Sequence, residues 1–308
     1  MKDFKGRTAV LTGAGSGFGL ACARLAAQAG MQVVLVDVQA DALTAAAAEI
    51  SALAAPQGGR VLARQVDVAS APAMEALAAE VLATFGAPHW VFNNAGVGGG
   101  GLVWENTVKD WEWVLGVNVW GVVHGVRLFT PMMLAAAEAD PAYHGHIVNT
   151  ASMAGLLSPP NMGVYNVSKH AVVALSETLY QDLALVTEQV HAHVLCPFFV
   201  PTGIAASQRN RPVEMRDPDQ ALTRSQLIGK AMSEKAVGSG KVSAGDVAAL
   251  VMTALQSNQF YIYSHPQALA SVRTRMDDVL AGRNPSDPFH ERPEMGAQLR
   301  AQLGGAWD

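Results

Sequence analysis

The sequence predicts an α/β fold: a single doubly wound domain with a parallel sheet of about seven strands and helices on both faces. Three observations predict it. Short β-branched runs alternate with helix-periodic segments along most of the chain. A glycine-rich turn, Gly13 to Gly19, joins the first strand-like run to the first helical one. Finally, Gly13, Asp37, Asp67, Asn94, Ser152 and Pro197 all fall where a predicted strand ends. Open α/β sheets bind their ligands along that edge.

The elements follow in order. Residues 7–11 form a short apolar strand, and 20–29 a helix that Gly30 stops as a C-cap would. Residues 32–37 are a continuous β-branched run, as a strand buried on both faces requires. Helix 41–53, loop 56–59, strand 60–67 and helix 71–85 come next, and Gly86-Ala87-Pro88 breaks the last of these. A fourth strand starts at 90 and ends in Asn93-Asn94-Ala95-Gly96, before a glycine-rich loop at 98–101. A long helical region at 108–137 is expected to bend near 116–118 and near Pro131. Strand 146–150, helix 165–186 and strand 190–196 follow, with Pro197 closing the sixth strand. Ser243-Ala244-Gly245-Asp246 reads as a capping box for a helix at 247–256, ahead of a last strand at 260–263. Residues 201–243 turn polar and read as an insertion lying over the strand ends, a lid. The tail holds one helical piece near 268–280. There is no internal repeat.

Composition bounds the function. Half of the 308 residues are hydrophobic and the formal charge is -5, without a basic patch, so nucleic acid is not an expected partner. No apolar run approaches the ~20 residues that span a bilayer, and the N-terminus lacks a signal-peptide core, so no membrane association is expected. Cys22 and Cys196, the two cysteines, fit a reducing cytoplasm as small buried apolar residues.

Two stretches carry chemistry. In Gly13-Ala14-Gly15-Ser16-Gly17-Phe18-Gly19 the glycines let a backbone approach a pyrophosphate, and the following helix N-terminus offers free N–H groups and a favourable dipole. Asp37 ends the second strand, where a carboxylate accepts a hydrogen bond from an adenosine ribose 2′-hydroxyl and repels a 2′-phosphate. Val38, Gln39 and Ser16 supply no cation that would recognise such a phosphate, so NAD rather than NADP is expected. The second stretch, Tyr165-Asn166-Val167-Ser168-Lys169, puts a phenol and an ammonium one helical turn apart on one face. A lysine cation beside a tyrosine favours the phenolate and brings proton transfer toward neutral pH.

Together these motifs resemble the short-chain dehydrogenase/reductase family. The carrying residues are Thr12-Gly13-Ala14-Gly15-Ser16-Gly17-Phe18-Gly19, Asn93-Asn94-Ala95-Gly96, Asn118, Ser152 and Tyr165-x-x-x-Lys169, in the family's order, over roughly residues 4–265. The resemblance implies a Rossmann-type domain over residues 1–266 with 267–308 as its extension. It implies an NAD-dependent alcohol dehydrogenase or carbonyl reductase acting on a small-molecule alcohol or ketone. Tyr165 would be acid and base, Ser152 would bind the substrate oxygen, and Lys169 would hold the nicotinamide ribose and depress the Tyr165 pKa. Asn118 would hold a relay water. Asn94, Ala95 and Gly96 would help position the cofactor, Asp67 and Val68 would flank the adenine, Pro197 and Val200 would line the nicotinamide end, and Thr202 would bond the carboxamide. It also implies a homodimer or homotetramer paired through the helices near 118–137 and 162–186.

One departure concerns the substrate side: Pro197-Phe198 stands where the family has Pro-Gly. Met153, Leu156, Leu157, Met162, Phe198 and Phe199 are expected around the reacting carbon, which suits apolar or aromatic bulk. His144/His146 and His191/His193 lack a third ligand and read as structural or solvated rather than metal-binding. Trp104, Trp111 and Trp113 read as core or interface residues. Two other function classes share this fold. A dehalogenating lyase would lack the dinucleotide glycines, and a silent cofactor sensor would lack part of the Asn-Ser-Tyr-Lys set; both sets are present.

Overall fold

The structure, a computed structural model, describes residues 3–216 and 221–304. Asp217 and Asp219, part of the polar insertion, lie outside them. Seven strands, β1 (Thr8–Thr12), β2 (Gln32–Asp37), β3 (Val61–Gln65), β4 (Trp90–Asn93), β5 (Gly145–Thr150), β6 (Val190–Cys196) and β7 (Tyr261–Tyr263), form one sheet in the order β3-β2-β1-β4-β5-β6-β7. Every pairing is parallel. Among the described residues ten α-helices accompany them: α1 (Gly17–Gln28), α2 (Ala40–Ala54), α3 (Ala71–Phe85), α4 (Val108–Leu115), α5 (Gly121–Ala139), α6 (Gly163–Val186), α7 (Arg224–Gly238), α8 (Ala244–Ser257), α9 (Leu269–Leu280) and α10 (Pro293–Leu303).

Strand residues alternate between two apolar layers, because successive side chains point to opposite faces. Ala9, Leu11, Val33, Leu35, Trp90 and Phe92 pack against α1, α2 and α8. Val10, Val34, Val36, Val91 and Ile147 pack against α3, α5 and α6. With β1 and β4 adjacent, the strand order reverses between them, and a crevice opens at their carboxyl ends. That crevice is where the glycine-rich turn sits.

Local signals set the helix ends. Ser70 accepts from Ala73 N–H, and Pro72 occupies the first turn of α3. The capping box expected at Ser243 and Asp246 forms at α8, and a second, Thr107 with Asp110, starts α4. Between α4 and α5 the helix widens into a π-turn, Gly116–Trp120, at the expected bend. The combined stretch Val108–Ala139 is long and apolar enough to cross a membrane by length and composition, which corrects the sequence expectation that no segment is. Here the π-turn interrupts it, and Phe129, Met133 and Ala137 bury its apolar face against the sheet.

The polar insertion, read as a lid over the strand ends, holds regular elements among its described residues. It carries 3-10 turns at Gly203–Asn210 and Val213–Met215 and then α7. Helix α7 buries only Ser225 and Val237, so apolar periodicity does not announce it. Its start is a capping box of Thr223 and Gln226. Beyond β7, Ala268, Leu269 and Val272 pack, as Tyr261 and Tyr263 do, against the cluster of Val172, Val173, Val194 and Cys196, and α10 buries Leu299 while Gly296 lies against Phe289.

His146 and His193 are fully buried, not solvated, and bonded to each other, Nδ1 to Nε2 at 2.9 Å. His193 Nδ1 faces the Gln259 carbonyl at 2.7 Å and must donate to it, so His193 Nε2 accepts from His146. Burial keeps both rings neutral at neutral pH. Burial holds His193 down at about 4, against an ordinary value of 6.5, and pushes His146 down as well. Between those two pH values the unfolded chain binds protons that the folded chain does not. The stabilisation is present above pH 6.5 and is lost as pH falls toward 4. The loss is on the order of a few kcal/mol. Thermal melts should therefore drop steadily from pH 7 to 4.5, and His193→Asn should flatten that slope; a wild-type melting temperature constant across the range would contradict this.

Candidate active site

The carboxyl ends of β1, β4 and β5 are laced together before any ligand arrives. Thr12 Oγ1 accepts from the N–H groups of Asn94 (2.9 Å) and Ala95 (3.0 Å), and Asn94 Nδ2 donates to the Thr12 carbonyl (2.9 Å). Thr150 Oγ1 donates to Asn94 Oδ1 at 3.3 Å. Asn94 therefore acts through the frame that it fastens. Gly13 has φ +64°, and a Cβ there would stand 3.0 Å from both the Ala95 backbone and Asn94 Nδ2. A Cβ on Gly19 would lie 2.2 Å from the Gly13 carbonyl oxygen. Gly19 thus brings α1 against the turn from behind and does not line the cleft.

The turn fits a dinucleotide. Ser16, at the N-cap of α1, makes no side-chain cap, and the first turn carries no acidic residue, so its N–H groups and positive dipole end stay available to an anion. Asp37 accepts from Gly15 N–H (2.8 Å) through Oδ2 and from Gln39 N–H (2.9 Å) through Oδ1. It shapes the glycine turn and caps its own, and it still lines the cleft with Val38, Asp67 and Val68.

At the other end stand Ser152, Tyr165 and Lys169. Lys169 is buried on α6, donates to the Thr150 carbonyl (2.8 Å), and holds Nζ 5.7 Å from the centre of the Tyr165 ring. Burial lowers its pKa to about 8. Tyr165 departs from expectation: burial pushes the phenol up, and a Ser152 side-chain hydrogen bond, not Lys169, acts in the lowering direction. The phenol is protonated at neutral pH in the ligand-free protein. Besides Tyr165, Ser152 Oγ accepts from Ala154 N–H at 3.1 Å and makes a long 3.4 Å contact to the Pro197 carbonyl, so its hydroxyl can turn toward a substrate.

Asn118, in the π-turn, is fully buried one layer behind. Its Nδ2 donates to the Val97 carbonyl and to Ser168 Oγ, both at 3.0 Å, and its Oδ1 accepts from Val97 N–H at 2.8 Å. A Cβ on Gly96 would come within 3.4 Å of Asn118 Oδ1 and 3.6 Å of Lys169 Nζ, so both converge behind that glycine.

The remaining residues expected at the cofactor, Gly13, Ser16, Gly17, Phe18, Ala95, Gly96, Pro197, Val200 and Thr202, line the same cleft. The expected substrate wall needs correction. Met153 is core, packed with Val173 and Cys196, and Leu156 and Leu157 pack on that cluster beside Tyr261 and Tyr263. Met162 bridges to Gly101, and Phe199 stacks on Phe198 with ring centres 4.2 Å apart. Of the six, Phe198 lines the cleft; Trp113, Val117, Ile204 and Val237 supply the other apolar surface, with Ser207 and Asn210 the polar part. Trp113, expected as a core or interface residue, is buried with Val97, Val114 and Val164 and also lines the cleft. Trp104, by contrast, is 72% exposed and not in the core. Among the described residues no group of three His, Cys, Asp or Glu could hold a metal ion.

A dinucleotide cradle at the strand-order reversal, joined to a Ser–Tyr–Lys cluster, defines an NAD-binding oxidoreductase. The chain belongs to the short-chain dehydrogenase/reductase family: the sequence profile described as short chain dehydrogenase matches residues 7–212. A short-chain dehydrogenase/reductase from Burkholderia phymatum, solved in complex with NAD, is 50% identical with a TM-score of 0.88, covering 94% of this chain and 99% of that one. The CLA biosynthesis dehydrogenase/reductase of Lactiplantibacillus plantarum is 31% identical over 287 residues, 92% of this chain and 97% of its own. The 1-deoxy-11-beta-hydroxypentalenate dehydrogenase of Streptomyces exfoliatus is 36% identical over 275 residues, 89% of this chain and 88% of its own. NAD is the cofactor.

Proposed function

We propose that this oxidoreductase interconverts a secondary alcohol and a ketone on an apolar or aromatic substrate, with Tyr165 as acid and base. The observation that carries the reading is the placement of Ser152, Tyr165 and the Lys169 ammonium at one end of the dinucleotide cleft. Bound NAD or NADH supplies the hydride chemistry. In reduction, the protonated Tyr165 phenol gives its proton to the nascent alkoxide; in oxidation, the phenolate takes it back. Ser152 donates to the same oxygen and stabilises its developing charge. Lys169, still largely cationic at neutral pH, stabilises the phenolate once the proton leaves. Both amide protons of Asn118 are committed to Val97 and Ser168, so a relay water would meet the remaining acceptor capacity of Oδ1. Thr202 would hold the carboxamide, and Asp67 and Val68 the adenine.

The apolar wall of Trp113, Val117, Ile204, Phe198 and Val237 supports a bulky substrate, and a relative named for dehydrogenating a hydroxypentalenate is consistent with an alcohol. The segment 201–243, which carries Ile204 and Val237, would act as the lid. The test is NADH formation across a panel of secondary alcohols, with small polyols and sugar phosphates for contrast. Cyclic and aryl-substituted alcohols should be turned over fastest; a clear preference for polyols or sugar phosphates would refute the reading.

Assembly as a homodimer or homotetramer through α5 and α6 is part of the same proposal. Apolar side chains on these helices and the turn before them, including Trp120, Val167 and Tyr180, are exposed in the single chain. Light scattering at micromolar concentration should give a multiple of the 32.3 kDa chain, and a monomeric mass would count against it. Two unpaired, buried cysteines support a reducing compartment, the cytoplasm.

A further inference from the structure

We propose that Arg209 is a phosphate-binding residue that closes over the pyrophosphate of the bound dinucleotide, opposite the glycine turn. Among the described residues, the charged side chains lining the cleft are Asp37, Asp67, Lys169 and Arg209. Both carboxylates belong to the adenosine end. Lys169 is buried at the catalytic end and held by the Thr150 carbonyl. The glycine turn itself offers backbone N–H groups and no cationic side chain. Arg209 is therefore the cation left for a group that brings two negative charges.

Its position suits that ligand. A Cβ on Gly17, in the glycine turn, would stand 3.6 Å from the Thr202 side chain. A Cβ on Gly203, the next residue, would stand 2.8 Å from Arg209 Nη2. The guanidinium thus lies along the backbone that faces the glycine turn, and it occupies the space that a side chain at 203 would take. Arg209 Nη1 donates to the Gly203 and Ala206 carbonyls, each at 2.8 Å. Those bonds orient the guanidinium plane while Nε and Nη2 make no hydrogen bond or ion pair with the described residues. Two free N–H-bearing nitrogens on one planar cation match the spacing of phosphate oxygens.

The turn that carries Arg209 is fastened on both sides. Buried Ser207 accepts from Gly98 N–H at 2.9 Å. Arg211 pairs with Asp110 at 2.6 Å and lies 5.2 Å from the Trp113 ring centre. Arg211 is committed to that anchor, whereas Arg209, two residues away, has no carboxylate partner among the described residues. A preordered cation loses little freedom on binding, which favours affinity. The inference rests on the dinucleotide site and does not depend on which alcohol is the substrate.

The test is titration of the full-length protein with NADH and with ADP-ribose, which keeps the pyrophosphate and lacks the nicotinamide, and with adenosine in competition. Arg209→Met should weaken NADH and ADP-ribose by roughly tenfold, the scale of one charged hydrogen-bonding group. Adenosine binding should be unchanged, and the salt dependence of NADH affinity should become shallower. Arg209→Lys should recover part of the loss. Arg209→Gln, which can still bond the loop carbonyls without charge, should not. Wild-type NADH affinity in Arg209→Met, or full recovery by Arg209→Gln, overturns the proposal. Equal weakening of adenosine does so too, since it marks a collapsed loop. Unchanged NADH affinity with a raised KM for carboxylate-bearing substrates would instead assign the cation to substrate.

Discussion

Tyr165→Phe lowers turnover by at least the ~10²-fold that loss of a positioned acid–base group costs. The substitution keeps the ring, so the packing of α6 and the cleft survives. It removes the proton that burial keeps on the phenol at neutral pH and the partner of the Ser152 hydrogen bond. NADH affinity should stay within about twofold of wild type, because the cradle at β1 and β4 is untouched. The pairing of lost turnover with retained cofactor binding separates a chemical role from a structural one. Near-wild-type turnover of the variant on every substrate in the panel would remove Tyr165 as the acid and base.

Asp37→Ala lowers catalytic efficiency with NAD by an order of magnitude or more, about what one buried charged hydrogen bond contributes, and relaxes discrimination against NADP. Asp37 does two things at once. Its oxygens hold Gly15 and Gln39 N–H groups, which shapes the glycine turn, and its remaining lone pairs and charge face the cleft. Like charges brought together there would disfavour a 2′-phosphate. Asp37→Asn divides the two effects, since an amide oxygen can still accept one of the turn bonds while the negative charge is gone. That variant should gain on NADP more than it loses on NAD. Equal kcat/KM of the wild type with NAD and NADP would contradict the role.

The cofactor half of the site was legible because it is built from local features. A glycine where a Cβ would strike a carbonyl at 2.2 Å, an acidic residue ending β2 and a Tyr–Lys pair on one helix turn are each written within a few residues. The same holds for the strands, whose β-branched runs mark burial on two faces, and for α8, whose capping box is four residues long. The apolar stretch Val108–Ala139 and the polar stretch of α7 show where local pattern misleads. The first is apolar because it packs against the sheet, and the second is polar because it packs so little.

Sequence alone determined the parallel sheet, the crevice at the carboxyl ends and the Tyr165–Lys169 pair, because each depends on backbone propensity or on short, fixed spacings; the role of Ser152 entered through the family resemblance. Tertiary structure decided what the substrate meets. Leu156 and Leu157 follow Ser152 closely yet turn into the cluster beside β7, and Trp113, Ile204 and Val237 arrive from three separate elements to take their place. It also decided the charge state of the cluster, since burial outweighs the Ser152 hydrogen bond at Tyr165. It separated Arg209 from Arg211 as well, pairing one with Asp110 and leaving the other facing the cleft. Contacts between residues a hundred positions apart depend on how whole elements pack, and no window of sequence contains that information.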